Sequence, residues 1–253
     1  MLERELSFAN EVADRAAEIT MASFLREVEV TIKPDSSPVT QADLAVERMF
    51  RKLVAECFPG DGVIGEEEGG EGGADRVWVL DPIDGTKNFA DGVPIWATLL
   101  ALRVEDRGVL GLASCPPMGE RYEAIRDEGA RLNGRPIGVS RRATLSEAFL
   151  VYSSAEGWID GPRREAFFSL LRDTRRSRGF GDFWGHALVA RGAADLMAEQ
   201  ELAIWDWAAL QVIVEEAGGR LTTFEGGEPF HGSSVLTSNG LVHDDAVARL
   251  AAT

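Results

Sequence analysis

The apolar run Val77-Trp78-Val79-Leu80 opens directly onto Asp81-Pro82-Ile83-Asp84-Gly85-Thr86. A short unbroken apolar run reads as a strand buried on both faces. This one ends in two carboxylates three residues apart and then breaks into a glycine-containing turn. Carboxylates crowded at the mouth of a sheet repel one another unless a cation stands between them. Mg²⁺, a hard ion that takes oxygen ligands and keeps sites for water and substrate phosphate, suits that arrangement. Backbone N–H groups around Gly85 and Thr86 would face the same space, an anion site if a helix begins there. Pro, Asp and Gly also favour plain turns, but a plain turn leaves two acids after a buried strand unexplained.

The chain has 253 residues, enough for one large domain or two modest lobes sharing a core. Its net charge of −16 leaves no basic excess to neutralise the phosphates of nucleic acid or of an anionic membrane. A small phosphorylated substrate is compatible, because a bound divalent ion reverses the local field. Cys57 and Cys115 form no spacing motif, and Cys57 falls on an apolar helical stripe, the pattern of a reduced core thiol. The start Met1-Leu2-Glu3-Arg4-Glu5 has no apolar signal region, and no run approaches the ~18 apolar residues of a membrane span. These features predict a cytoplasmic protein.

Apolar positions at Leu2, Leu6, Ala9, Ala13 and Ala16 predict a helix over 2–27, and the β-branched segment 27–32 predicts a strand. Lys33-Pro34-Asp35-Ser36-Ser37-Pro38 reads as a loop. A second helix follows with the stripe Val46, Met49, Phe50, Leu53, Val54 and Cys57; Thr40 is its expected N-cap and Asp43 stands in its first turn. Strands are expected at 77–80, 96–104, 109–114 and 120–125 as an antiparallel meander, with Asn133-Gly134 as a hairpin turn. After about residue 140 strands (148–153, 194–197, 220–223, 235–237) alternate with helices (163–171, 183–190, 206–216, 243–250). The expected fold is α/β: an α+β N-terminal lobe over about 1–140 and an α/β C-terminal lobe over 141–253, packed as one layered domain spanning 1–253.

Acidic residues stand out in four places: Asp43 at a helix start, Glu66 after the apolar Val63-Ile64-Gly65, the pair Asp81 and Asp84, and Asp206 between Trp205 and Trp207. A charge between two tryptophans needs a partner or a metal, although helix capping also accounts for Asp206 taken alone. Taken alone, Asp43 is also explained as a dipole-favoured carboxylate and Glu66 as a solvated loop charge. A phosphatase with an aspartyl nucleophile in Asp-x-Asp-x-Thr is excluded, because that motif spaces its acids by two and lies near the N-terminus.

Gly65-Glu66-Glu67, Trp78 through Phe89 and Trp205-Asp206-Trp207-Ala208-Ala209 through Gly219 resemble the signatures of the inositol monophosphatase family. Val39-Thr40-Gln41-Ala42-Asp43 matches a further family element, and the matching segments keep the family's order over most of the chain. The resemblance implies a layered α-β-α-β-α sandwich, commonly dimeric, dependent on two or three Mg²⁺ ions and inhibited by Li⁺. It assigns metal coordination to Glu66, Asp81, the Ile83 carbonyl, Asp84 and Asp206. It assigns water activation to Thr86 with Asp43, in which Glu66 takes part as a ligand, and phosphate contacts to the backbone of Gly85 and Thr86. Divalent ions in such a site screen a phosphate dianion, acidify water and stabilise a departing alkoxide. Thr86 is no strong base by itself; hydrogen-bonded to Asp43 it would orient a water.

The choice of ester lies elsewhere. Arg178-Gly179-Phe180-Gly181-Asp182-Phe183-Trp184 places an acid where members acting on inositol phosphates usually carry a small hydroxyl residue. With Lys87 after Asp-Gly-Thr, this segment resembles the family's histidinol-phosphate phosphatases, the actinobacterial type above all. That substrate offers an amine and an imidazole, for which Asp182 and Glu199 are suitable partners. Glu199 also aligns with a substrate-contacting glutamate of the family, seven residues before Asp206. Helix capping remains an alternative for Asp182 and solvation for Glu199. His186, His231 and His243 form no metal spacing; His186 is expected to pack and the other two to do no chemistry. An inositol-1-phosphate or broad sugar-phosphate monoesterase is the first rival reading, and a catalytically silent scaffold of the same fold is the second.

Overall fold

The computed structural model describes residues 2–26, 30–32, 38–70 and 73–251. Helix α1 is Glu3–Ser23; strands β1 (Val30–Ile32) and β2 (Pro38–Thr40) form a small antiparallel ribbon before helix α2 (Gln41–Cys57). Residues 27–29 of the expected strand and 33–37 of the expected loop lie outside the described residues. Strands β3 (Gly62–Gly65) and β4 (Arg76–Asp84), the short helix α3 (Thr86–Ala90), and strands β5 (Ala97–Val104), β6 (Arg107–Cys115), β7 (Glu120–Ile125), β8 (Gly129–Leu132) and β9 (Arg135–Pro136) come next. They form a seven-stranded sheet in simple sequence order, antiparallel except where β3 runs parallel to β4. Asn133 and Gly134, at φ 49° and 75°, make the expected turn between β8 and β9.

The second half of the chain comprises β10 (Phe149–Tyr152), α4 (Glu156–Ile159), α5 (Arg164–Asp173), β11 (Arg176–Gly179), α6 (Asp182–Ala190), β12 (Leu196–Leu202), α7 (Ile204–Glu216), β13 (Arg220–Thr222), β14 (Ser233–Ser238) and α8 (His243–Leu250). Its strands make a five-stranded mixed sheet ordered β11-β10-β12-β14-β13. Strand β11 was not expected: Arg-Ser-Arg-Gly has no apolar alternation, because an edge strand with exposed side chains buries no face. Helix α1 also ends earlier than its apolar period suggests, at Ser23.

Burial explains the stacking. Along β4, Trp78 and Leu80 face one way and Val77 and Val79 the other, and all four are buried. Trp78 and Leu80 join Phe8, Val12, Phe50 and Leu53 of α1 and α2 on one face of the large sheet. Val77 and Val79 join Trp207, Leu210 and Ile213 of α7 and Phe183 of α6 on the other. The small sheet contributes Val235 and Leu221 to that same middle layer. On its outer face Leu150, Leu196 and Leu236 meet Trp158, Phe167 and Leu250 of α4, α5 and α8. The result is helices, sheet, helices, sheet, helices: the α-β-α-β-α sandwich. Each large side chain buried this way contributes roughly 1.5–3 kcal/mol. The helices of the middle layer have their N-termini at the ends of β11 and β12, which carries their first residues toward the acidic end of β4.

Candidate active site

Two of the carboxylates come from β4. Residues three apart on a regular strand point to opposite faces. Here Asp81 pairs with Leu99 and Asp84 with Ala97, so three steps on β4 face two on β5. The extra residue is a bulge, and it re-aims the strand end so that both acids can meet. Asp81 Oδ1 accepts from the Ile83 N–H at 2.9 Å, and the Pro82 carbonyl accepts from Thr98 Oγ1 at 2.8 Å. Proline is tolerated at such an irregularity because no ladder bond is asked of its nitrogen. Gly85 follows at φ 84°, where a Cβ would stand 3.0 Å from the Ile95 carbonyl oxygen. The left-handed backbone and the crowding both require glycine.

Asp206 and Asp43 occupy the same position on different helices, the third residue of α7 and of α2. Asp206 Oδ2 accepts from the Ala203 N–H at 2.7 Å. Asp43 Oδ2 accepts from the Thr40 N–H at 2.8 Å and from its hydroxyl at 2.6 Å, closing a capping box. Neither acid is itself the N-cap: each stands in the first turn and uses one oxygen to reach back to the capping residue. The other Asp43 oxygen, Oδ1, is buried and has no hydrogen-bond partner among the described residues.

Asp81, Asp84 and Asp206 each present a carboxylate oxygen within 4.8 Å of the others. Burial, followed by the charges of Glu66, Asp84 and Asp206, holds Asp81 well above the ordinary carboxylate range. Burial, then the charges of Asp182 and Asp206, does the same to Asp84. Asp206 is pushed up to about 8 by burial and the neighbouring acids, against the Ala203 hydrogen bond. Asp43 is pushed up to about 6, mainly by burial. No Lys or Arg pairs with the three clustered aspartates among the described residues. Buried carboxylates in this state must be protonated or must share a cation, and an all-oxygen donor set fits a hard divalent ion.

A cavity of about 550 Å³ brings Glu66, Asp84, Gly85, Thr86 and Asp206 together with Asp182 and Glu199. Asp43, Asp81 and Ile83 are buried and lie outside its lining. Glu66 begins the turn after β3 and acts on Asp81 and Asp206 through its charge, but it is not within the group of three oxygens. That turn is fixed by Glu47, which the sequence reading passed over. Glu47 is fully buried and accepts from the Glu67 N–H at 2.8 Å and the Glu68 N–H at 3.0 Å, while Arg51 pairs with it at 2.7 Å. The signal was present: Asp43, Val46, Glu47 and Phe50 fall on one helical stripe, so an acid sits on the face that packs.

The direct hydrogen bond expected between Thr86 and Asp43 is not formed. Thr86 Oγ1 donates to the Ile83 carbonyl at 3.0 Å, and Asp43 is engaged with Thr40. A threonine opening a helix after a tight turn finds the carbonyl three residues back closer than a side chain on another helix.

Asp182 is not a helix cap. Its backbone is left-handed at φ 48°, an uncommon state for a residue with a side chain, and its Oδ2 accepts from Asn88 Nδ2 at 2.8 Å. The next N–H, of Phe183, donates to Asp84 Oδ2 at 2.7 Å, tying the start of α6 to the acidic cluster. Burial and then Glu199 push Asp182 up to about 7, opposed by Lys87 and Asn88. Glu199 is buried on β12 rather than solvated. His186, expected only to pack, is fully buried and places Nε2 at 3.2 Å from Glu199 Oε2. His243 also bonds internally, to Ser238 and Thr222, and burial pushes it down to about 4.

The family model for the inositol monophosphatase family matches residues 1–252. A histidinol-phosphatase of Mycobacterium tuberculosis is 44% identical over 253 residues, covering 97% of each chain. One of Streptomyces coelicolor is 43% identical over 257 residues, covering 97% of this chain and 96% of its own. Among solved structures, the Thermotoga maritima IMPase superposes with a TM-score of 0.89 at 31% identity over 98% of this chain and 97% of its own. Matched over nearly its whole length in sequence and in fold, the chain is a phosphatase belonging to the inositol monophosphatase family.

Proposed function

We propose that the protein hydrolyses L-histidinol phosphate to L-histidinol and inorganic phosphate, with Mg²⁺ as its metal. The observation that carries this reading is a single cavity in which Asp84 and Asp206 share space with two further acids, Asp182 and Glu199. The first pair suits a metal and a phosphate; the second suits the cationic amine and imidazole of the alcohol moiety. The names of the Mycobacterium and Streptomyces relatives point the same way.

On this reading Glu66, Asp81, Asp84, Asp206 and the Ile83 carbonyl hold two or three ions. Bound there, Mg²⁺ would supply screening of the phosphoryl dianion, a more acidic water and stabilisation of the leaving alkoxide. The backbone N–H groups of Gly85 and Thr86 hold phosphate oxygens, and Gly85 permits the approach because it has no side chain. Asp43 Oδ1 provides a buried acceptor for a proton, and Thr86, released from Ile83, orients the water that gives it up. Asp182 and Glu199 hold the amine and the imidazole so that the ester faces the acidic cluster. Inhibition by Li⁺, a homodimeric state, a cytoplasmic location and a single domain with lobes meeting near residue 140 accompany this reading. No helix among the described residues is long and apolar enough to cross a membrane.

Steady-state kinetics with Mg²⁺ on histidinol phosphate and inositol-1-phosphate test the proposal. The expected result is a kcat/KM at least about 100-fold higher for histidinol phosphate, the value of two charged hydrogen bonds. Faster inositol-1-phosphate turnover would establish the rival reading. No phosphate release from any small ester would revive the silent scaffold.

A further inference from the structure

Behind Glu199 lies a chain of buried polar groups with no place in metal or phosphate binding. His186, on α6, has Nδ1 at 2.7 Å from Thr237 Oγ1 on β14 and Nε2 at 3.2 Å from Glu199 Oε2 on β12. His186 and Thr237 are both fully buried, and Glu199 is buried at the cavity wall. The register accounts for the meeting. Met197 pairs with Thr237 and Glu199 with Val235 across antiparallel β12 and β14, so Glu199 and Thr237 are diagonal neighbours on one face. Helix α6 lies against that face at close range: a Cβ on Gly185 would stand 2.5 Å from Met197 Sδ. Glycine there lets the helix seat His186 between the two strands.

The hydrogen-bond inventory decides the direction. A carboxylate only accepts, so facing Glu199 in that form the imidazole carries its hydrogen on Nε2. Nδ1 then takes a hydrogen from the Thr237 hydroxyl, which has no other acceptor among the described residues. An imidazole held at both nitrogens fixes the carboxylate it serves in one rotamer, with its remaining lone pairs turned to the cavity.

We infer that Thr237 and His186 are positioning residues that orient Glu199 toward the cationic end of the substrate and so set the preference among phosphate esters. This rests on the proposed histidinol-phosphate reading and adds to it the device that keeps one recognition acid in place. The relay touches no member of the aspartate cluster, so its removal should weaken recognition and leave the chemical step intact.

Nitrogen-15 NMR of the imidazoles in the metal-free protein tests the geometry without catalysis. With three histidines in the chain, His186→Gln identifies the His186 signals by their loss. The Nε2–H tautomer is expected in the wild type, with a shift of its Nδ1 resonance in Thr237→Val; an Nδ1–H tautomer would overturn the relay. Kinetics on the Mg²⁺-loaded enzyme test its purpose. His186→Phe should raise KM for histidinol phosphate about tenfold, the loss of one hydrogen bond to a charged group, with kcat held within about twofold. His186→Gln, whose amide still donates to Glu199, should restore most of that loss, and Thr237→Val should show a smaller rise. Equal losses on inositol-1-phosphate, or a fall in kcat alone, would show that His186 is merely structural. Should His186→Phe not fold, Thr237→Val and the wild-type tautomer decide the matter. A wild type that prefers inositol-1-phosphate would sink the substrate reading by itself, while the tautomer would still judge the relay.

Discussion

Strands β4 and β12 repeat one device in two sheets. Each loses register by one residue near its C-terminal end: between Asp81 and Asp84 on β4, and between Glu199 and Leu202 on β12. The β4 bulge falls between its two acids and lets them meet, whereas the β12 bulge follows Glu199, which reaches the cavity wall in regular register. The outcomes differ. On β4 the bulge crowds two acids against Asp206 with no Lys or Arg partner among the described residues, an arrangement that calls for protons or a shared cation. On β12 a single acid, Glu199, meets the His186 imidazole and through it the Thr237 hydroxyl, an arrangement that would suit a hydrogen-bonding cationic group. The irregularity thus concentrates charge in one sheet, while in the other an undisturbed register seats a single acid against a helix.

The comparison breaks most visibly at β4. Asp84→Asn removes one charge from the crowded side and should lower phosphate release about 1,000-fold on every ester, read as kcat/KM on both histidinol phosphate and inositol-1-phosphate. A loss confined to one ester would mean that the two sheets do not divide the work.

A second effect concerns charge without substrate. Asp81, Asp84 and Asp206 lie above their ordinary range when buried without a cation, Asp206 at about 8. The folded state therefore holds protons that the unfolded chain releases above 3.8, and folding stability falls as pH rises from about 4 toward 8. Divalent ions compete with those protons. Mg²⁺ should raise Tm by about 5 °C at pH 8 and by much less at pH 5, with protons released on binding. Thermal melts at both pH values with and without Mg²⁺ check this; equal shifts would argue against the cluster as the binding site.

The smallest effect sharpens the other side. Asp182→Asn keeps the hydrogen bond to Asn88 available but removes charge from the recognition wall. It should lower kcat/KM for histidinol phosphate about tenfold and leave inositol-1-phosphate nearly unchanged. Equal behaviour on both esters would assign Asp182 to holding the start of α6.

Much of this was legible in order along the chain. The strand at 77–80, the Thr40 cap, the stripe of α2 and the late alternation of strands and helices follow from periodicity and capping, which are local. The acids at 43, 66, 81, 84 and 206 stood out by their contexts. Strand β11 escaped because its exposed edge imposes no apolar pattern, and Glu47 because an acid on a packed stripe looks like a stray surface charge until its partners are seen. The Thr86–Asp43 bond was expected from resemblance, but the Ile83 carbonyl, brought within reach by the bulge, takes that hydroxyl.

By itself the sequence determined that carboxylates end a buried strand and that helix starts supply more of them, because residue type and spacing are properties of the chain. Only the tertiary structure decided that residues three apart on β4 meet, that Asp206 joins them from another helix, and that His186 reaches from a helix to Glu199. Those outcomes depend on the bulge in β4, on the stacking of α7 against the large sheet and on the close seat of α6 over β12. Such features arise where separate elements are packed against one another, and no local pattern carries them.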